Sequence, residues 1–393
     1  MYIHQPTVFN QIFWLIKIQF SSLLGQLDNK WRVFDHESLL KVLLFAQITS
    51  KESLRDIETW LQAESNKLYH IGLKSTARST ISYRNNKVDP SIYEKLFYTI
   101  YKQYKSMFSS SIDLGIKCVA MDSTLISLAL SMYNRAKYRT QKWWMRLHIW
   151  LDISECLPRF CVITDGKKWD NLIAQQIVEE NKIQSWEMIV FDRYYVDFKL
   201  WKMINQHWAF FVTRTKTNTQ YQVLEEYEKK GTWIIYDAKI QLSWQKALEK
   251  YDQTLRIVRF YDTKSDTIYE YITNNFELSA EHIASIYQHR WSIETFFRRI
   301  KQNLKIKSFL WTSENAVRNQ IRVSLIYFVL LRYLIESIKC GKHQALKLCR
   351  LIAQKCMDSI GISELEHYQP YCTTWSIFRQ PKHTKSDFVF ILD

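Results

Sequence analysis

With 393 residues, 47% hydrophobic and 15% aromatic, the chain is long enough for two or three domains and apolar enough to pack them, which excludes a mainly disordered protein. Its formal net charge of +15 favours a polyanionic partner, either nucleic acid or an anionic membrane surface. The longest apolar stretch, Val323 to Ile335, is broken by Arg332 and falls short of the ~20 residues a spanning helix needs, so no membrane role is expected. The run Ile12 to Phe20 contains Lys17 and lacks the basic start and small-residue cleavage site of a signal peptide, so a cytoplasmic protein is expected. None of the seven cysteines forms a Cys-x-x-Cys pair or has a His at zinc spacing. No Gly-x-x-x-x-Gly-Lys sequence signals nucleotide hydrolysis.

Residues 1 to about 110 read as helical. Apolar side chains recur at helical spacing through Leu39, Leu40, Val42, Leu43 and Leu44, and again through Tyr93, Leu96, Phe97, Ile100 and Tyr101. Asp89 before Pro90 is an N-cap followed by proline at the first helical position. Arg55, Arg78, Arg84 and Lys87 make this region either a DNA-binding bundle or a packing domain with a solvated basic face. After Leu114 the texture changes. Ile116 to Asp122, Arg146 to Ile153, Pro158 to Asp165 and Trp186 to Asp192 are short apolar runs that suit buried strands. Helices are expected at about Asn171 to Lys182 and Val196 to Gln206, then a strand at Ala209 to Arg214, which together imply an α/β layer. Residues 216 to 278 read as a β-rich insertion with strands at Trp233 to Tyr236, Leu255 to Tyr261 and Thr267 to Thr273. Long helices are expected at about Ser279–Asn303, Asn315–Ser337 and His343–Met357.

Two acids stand where strands are expected to end: Asp122 in Val-Ala-Met-Asp-Ser-Thr and Asp192 in Met-Ile-Val-Phe-Asp-Arg. An acid at the exit of a buried strand is exposed at the sheet edge, where α/β folds bind ligands, although it can equally start a turn or cap a helix. On the helix expected at Ser279–Asn303, Tyr287, Arg290, Glu294 and Lys301 fall within about 60° of one another at ~100° per residue. Ile286, Ile293, Phe297, Ile300 and Leu304 form the adjoining apolar stripe. Arg290 and Glu294 alone also fit a simple i,i+4 pair.

The motif Tyr287-x-x-Arg290-x-x-x-Glu294-x-x-x-x-x-x-Lys301 resembles the signature of the insertion-sequence transposases of the fourth family, a DDE group with an RNase H-like catalytic core. The resemblance extends to Ser53 through Leu61, Leu68 through Gly72, Met121 through Thr124, Leu147-His148 through Gly166 with Asp170, Phe191 through Tyr194, and Ser313 through Val317. It implies an α/β fold: a helical, DNA-binding N-terminal domain at 1–110, a catalytic core at 111–310 interrupted by the β-rich insertion at 216–278, and a C-terminal helical region at 311–393 for synapsis or dimerisation. Asp122, Asp192 and Glu294 are implied as catalytic metal ligands, holding Mg²⁺ (Mn²⁺ can substitute). Tyr287, Arg290, Trp291, Lys301, Arg193, Arg214 and Tyr269 are the implied DNA contacts.

The implied activity is that of a bacterial, nucleoid-associated, cut-and-paste enzyme. It would bind terminal inverted repeats in double-stranded DNA, cleave phosphodiesters and join the 3′-hydroxyl ends to target DNA, as a homodimer in the synaptic complex. Tyr269 stands where the family's hairpin-forming members have a tryptophan, so the hairpin route stays open. Leu310-Trp311 departs from the family's common glycine. A catalytically inactive DNA-binding derivative and a metal-dependent nuclease are the competing readings, and neither would yield joined products.

Overall fold

The computed structural model describes residues 6–25, 34–108, 112–127, 144–166, 169–216, 218–229, 231–303, 313–338 and 342–367. In chain order its elements are α1 (Val8–Leu24), α2 (His36–Ile48), α3 (Leu54–Ala63), α4 (Arg78–Lys87), α5 (Pro90–Tyr104), β1 (Cys118–Ser127), β2 (Trp144–Asp152), β3 (Leu157–Asp165), α6 (Asp170–Glu179), β4 (Met188–Phe191), α7 (Phe198–Gln206), β5 (Phe210–Arg214), β6 (Tyr221–Glu226), β7 (Ile234–Leu242), α8 (Gln245–Leu248), β8 (Leu255–Asp262), β9 (Thr267–Thr273), α9 (Ala280–Gln288), α10 (Trp291–Asn303), α11 (Glu314–Ser337) and α12 (Lys342–Gln354). The fold is mixed α/β, with a helical N-terminal region and one large sheet. Two compact units divide it, and one of the boundaries between them falls within α10, between Phe297 and Arg298. Among the described residues no helix is long and apolar enough to cross a membrane.

The helical unit holds α1 to α5, α11 and α12. Its helices start where short polar side chains can take up free backbone N–H groups. Asp35 caps α2 through Ser38, and Asp89 caps α5 through the Ser91 amide at 2.9 Å, with Pro90 next, as the sequence predicts. The two helical ends of the chain, read separately from the sequence, share this unit because α11 packs against α2, α4 and α5. Arg84 is not a surface base as expected: it is buried, and its Nε donates to the Phe34 carbonyl at 2.9 Å.

The other unit is built on a nine-stranded sheet in the order β3-β2-β1-β4-β5-β9-β8-β7-β6. β1, β4 and β5 run parallel, and the remaining neighbours pair antiparallel. Successive side chains of a strand point to opposite faces, yet both Val119 and Ala120, and both Ile189 and Val190, are buried. The sheet is therefore covered on two sides here, which is why these strands read as continuous apolar runs. One of those covers comes from α6 and α7, whose Ile173, Ile177, Leu200, Trp201 and Ile204 pack with Val119, Ile189 and Phe211. Trp201 stacks on Phe211 at 4.8 Å. Burying each such side chain is worth about 1.5–3 kcal/mol.

The β-rich segment extends this sheet rather than forming a separate one, since β9 pairs with β5. The expected helix at Ser279–Asn303 is interrupted. α9 ends at Gln288 and α10 starts at Trp291, and the joint closes through i to i+3 bonds, Arg290 N to Tyr287 O and Ser292 N to His289 O, both 3.0 Å. The His289 ring donates from Nδ1 to the Ser285 carbonyl at 2.8 Å, alongside the ladder bond from the His289 amide to the same oxygen at 3.3 Å, so a side chain and the backbone share one acceptor at the joint. The departure expected at Leu310-Trp311 lies outside the described residues, as do most of residues 340–393.

Candidate active site

The parallel register of β1 and β4 pairs Met121 with Phe191, so the next residues along each strand, Asp122 and Asp192, stand side by side. Asp192 follows the last residue of β4 and caps the 3-10 turn Arg193–Tyr195, accepting the Tyr194 amide at 3.3 Å. Asp122 does not end its strand, contrary to expectation. β1 runs on to Ser127, paired with β2 alone beyond the point where β4 stops. The Asp122 carboxylate accepts the Ser123 amide at 2.7 Å.

Glu294 lies in the first turn of α10, and its Oε1 accepts from Arg290 Nη2 at 2.7 Å. Arg290 sits at the helix joint and is 6% exposed. Its Nε and Nη1 are buried and make no hydrogen bond within the protein, while its guanidinium lies 5.8 Å from the Tyr287 ring and 5.6 Å from the Trp291 ring. Buried donors left without partners are costly unless a ligand satisfies them. Tyr287 is buried against Tyr271 at 4.7 Å; burial pushes its hydroxyl up to about 12, against the opposing pull of Arg290. Trp291 is 61% exposed. Arg214 closes β5, opposite Tyr271, with its guanidinium 4.6 Å from the Tyr269 ring. The structure thus links Arg214, Tyr269, Tyr271, Tyr287, Arg290 and Trp291 in one chain of aromatic and guanidinium contacts. Arg193 is exposed on the turn after Asp192. Lys301 is half-buried in the last turn of α10, within the helical unit.

Burial raises the Asp122 carboxyl to about 6; Arg290 and the Ser123 amide oppose this, and Asp192 and Glu294 add to it. Asp122 therefore feels two other acids, with the Arg290 charge opposing them. The donor set is all carboxylate oxygen, which suits a hard divalent cation. Among the described residues, no three His, Cys, Asp or Glu side chains are grouped closely enough to hold a metal, and Glu294 is turned onto Arg290. The donor chemistry fits such an ion, and a site using all three acids requires them to come closer together than they stand here.

Beside Asp122 lies a polar network to which the sequence reading gave no role. The Asp170 carboxylate meets the Arg146 guanidinium at 2.5 Å and His148 Nδ1 at 3.3 Å, and His148 Nε2 contacts the Thr164 hydroxyl at 3.0 Å. Tyr195 is buried, and its hydroxyl is pushed far up by burial and then by Asp170 and Asp122. His148 and Asp170 carried part of the family resemblance, but only the pairing of β2 with β3 shows how the network assembles. A pocket of about 410 Å³ lined by residues 112–117, Asp152, Ser154 and Glu155 opens at the other end of β1 and shares none of these residues.

A family model described as "Transposase DDE domain" matches residues 113–330, and one described as "Domain of unknown function (DUF4372)" matches residues 4–74. A probable transposase for insertion sequence element IS5377 from Geobacillus stearothermophilus is 28% identical over 78% of this chain and 78% of its own length. The putative transposase y4zB of Sinorhizobium fredii is 36% identical over 54% of this chain and 59% of its own. A putative transposase for insertion sequence element IS4SA from a Synechocystis strain is 23% identical over 71% of this chain and 78% of its own.

Proposed function

The chain belongs to the transposase DDE family, and from that premise we propose that it is a cut-and-paste enzyme of the fourth insertion-sequence type, which cleaves the ends of its element and joins them to target DNA. The observation that carries the reading is the β1–β4 register, which sets Asp122 beside Asp192, with the charge of Glu294 also felt at Asp122. The strands β1, β4 and β5, flanked by the antiparallel β2 and β3, support an RNase H-like core. Asp122, Asp192 and Glu294 would hold Mg²⁺, or Mn²⁺ in its place. When bound, the ions would activate water or a 3′-hydroxyl and neutralise charge on the phosphodiester under attack.

The chain's own residues supply the rest. Arg290 would offer the N–H groups of Nε and Nη1 to a phosphate oxygen, while its Nη2 bonds Glu294. Tyr287 shapes the wall of this site and keeps its hydroxyl protonated. Trp291 and Tyr269 offer ring faces to an unstacked base, the latter backed by Arg214, and a hairpin route is compatible with both. Arg193 and Lys301 contribute charge towards the phosphate backbone. Two element ends must be processed together, which favours a homodimer on double-stranded DNA, with the helical unit engaging the terminal repeats and the nucleoid as the working location.

The test is cleavage of duplexes carrying the element's own ends. Glu294→Gln and Asp192→Ala should each lower Mg²⁺-dependent cutting by more than the ~10–100-fold that loss of an outer-shell partner costs, with circular dichroism unchanged. Full activity in both variants would end this reading. Cutting without joined product when target DNA is supplied would reduce it to a nuclease.

A further inference from the structure

The helix α4, Arg78-Ser-Thr-Ile-Ser-Tyr-Arg-Asn-Asn-Lys87, contains no acid. Its buried face is Ile81, Arg84 and Asn85, continued by Val88. On the opposite side Ser79, Thr80, Tyr83 and Lys87 are all exposed, Tyr83 by 54%. At ~100° per residue these four fall within an arc of about 100°. Three of the four carry a hydroxyl, a group that can donate or accept, and the fourth a cation. The Lys87 ammonium lies 5.9 Å from the Tyr83 ring, so charge and ring are presented together.

Such a helix is useful for recognition only if its rotation is fixed, and α4 is held at both ends. Glu58 of α3 accepts the Arg78 amide at 3.0 Å, capping the N-terminus, and lies 3.8 Å from the Arg78 guanidinium. At the other end, the last carbonyls of a helix need outside donors. Asn319 Nδ2 of α11 donates to Asn85 O at 3.1 Å and to Asn85 Oδ1 at 2.9 Å, and Asn315 Nδ2 donates to Asn86 O at 3.2 Å. Asn85 and Asn319 are both fully buried. A bond of this kind specifies one orientation of α4 on α11, where an apolar contact would tolerate several.

We infer that α4 is the helix that enters the major groove of the element's ends, with Ser79, Thr80 and Tyr83 facing base edges and Lys87 a flanking phosphate. The inference rests on the transposase reading and goes further by naming the surface that selects the sequence. The observation that carries it is an acid-free, hydroxyl-lined helix face, exposed along its length, on a helix held at both ends. The major groove of B-DNA, about 12 Å wide, admits an α-helix, and hydroxyls pair with donors or acceptors on base edges. The face itself carries no acid: Asp89, the first acid after the helix, caps α5 through the Ser91 amide, and Glu58 of α3 is turned to Arg78. Residues 64–77 separate α3 from α4, too many for the tight turn of a helix-turn-helix.

The experiment selects duplexes with a randomised core on the full-length chain and compares the recovered motif for wild type, Ser79→Ala/Thr80→Ala, Tyr83→Ala and Lys87→Ala. All four positions are solvent-facing, so unchanged melting is required of each variant before its motif is read. Wild type should enrich one motif. The hydroxyl variants should lose preference at a few adjacent positions, cutting specific over non-specific affinity by about 5- to 150-fold. Lys87→Ala should weaken all duplexes alike and flatten the salt dependence. The same motif at the same strength in the hydroxyl variants overturns the assignment, as does a wild type that retains DNA without preference. Equal retention of duplex RNA also overturns it, because the A-form major groove is too narrow to be read. A wild type that retains no duplex would instead remove the transposase premise.

Discussion

The carboxyl of Asp122 is raised from its ordinary 3.8 to about 6, chiefly by burial, with Asp192 and Glu294 adding to the shift and Arg290 opposing it. In the unfolded chain the same group ionises near 3.8, so below that pH both states hold the proton. As pH rises through the window from 3.8 to about 6, the unfolded chain releases a proton that the folded chain keeps, and stability falls. Asp122→Asn removes this penalty. In metal-free buffer it should stabilise the fold by about 1–3 kcal/mol at pH 8 and by clearly less at pH 4, measured by urea unfolding. A variant no more stable than wild type at pH 8 would mean the carboxylate ionises there at no cost.

At the scale of elements, β7 and β8 are bound by a buried pair, Arg256 Nε and Nη2 to the Asp237 carboxylate at 2.8 and 2.7 Å, with Nη1 donating to the Leu278 carbonyl at 2.6 Å. Asp237→Ala leaves the guanidinium buried without its counter-charge and should cost about 3–5 kcal/mol in urea unfolding. Asp237→Leu with Arg256→Met should recover most of it, and failure to recover would show that the pair sets the register as well as its own charge balance. Much of this architecture is legible in the sequence. Strands that are apolar on both faces announce themselves, and Asp89-Pro90 marks a helix start. The expected β-rich segment is present too, and Asp192 follows the end of β4 as expected. What stays hidden has physical causes. β6 is an edge strand whose Tyr221-Gln-Val-Leu-Glu-Glu226 is mostly exposed, so no buried alternation betrays it. The overrun of β1 beyond Asp122 depends on β2, not on β1 itself. The joint at His289 interrupts a helix whose apolar stripe, Ile286, Ile293, Phe297 and Ile300, continues across it, so periodicity alone reads one helix where there are two.

Across the molecule, the three candidate acids hang from supports of unequal stiffness. Asp122 is laced into a strand with an antiparallel neighbour along its whole length. Asp192 sits on a single 3-10 turn, and Glu294 comes just after a joint made of i to i+3 bonds. Opening free energies differ across a fold in the same way. Amide hydrogen–deuterium exchange on the whole chain should therefore find 119–126 among the slowest peptides, with 192–195 and 289–292 exchanging well ahead of them. Equal protection in all three would remove the distinction. If it holds, the site is an anvil with two moving jaws: one acid waits in place, and the other two stand on backbone loose enough to be drawn towards it.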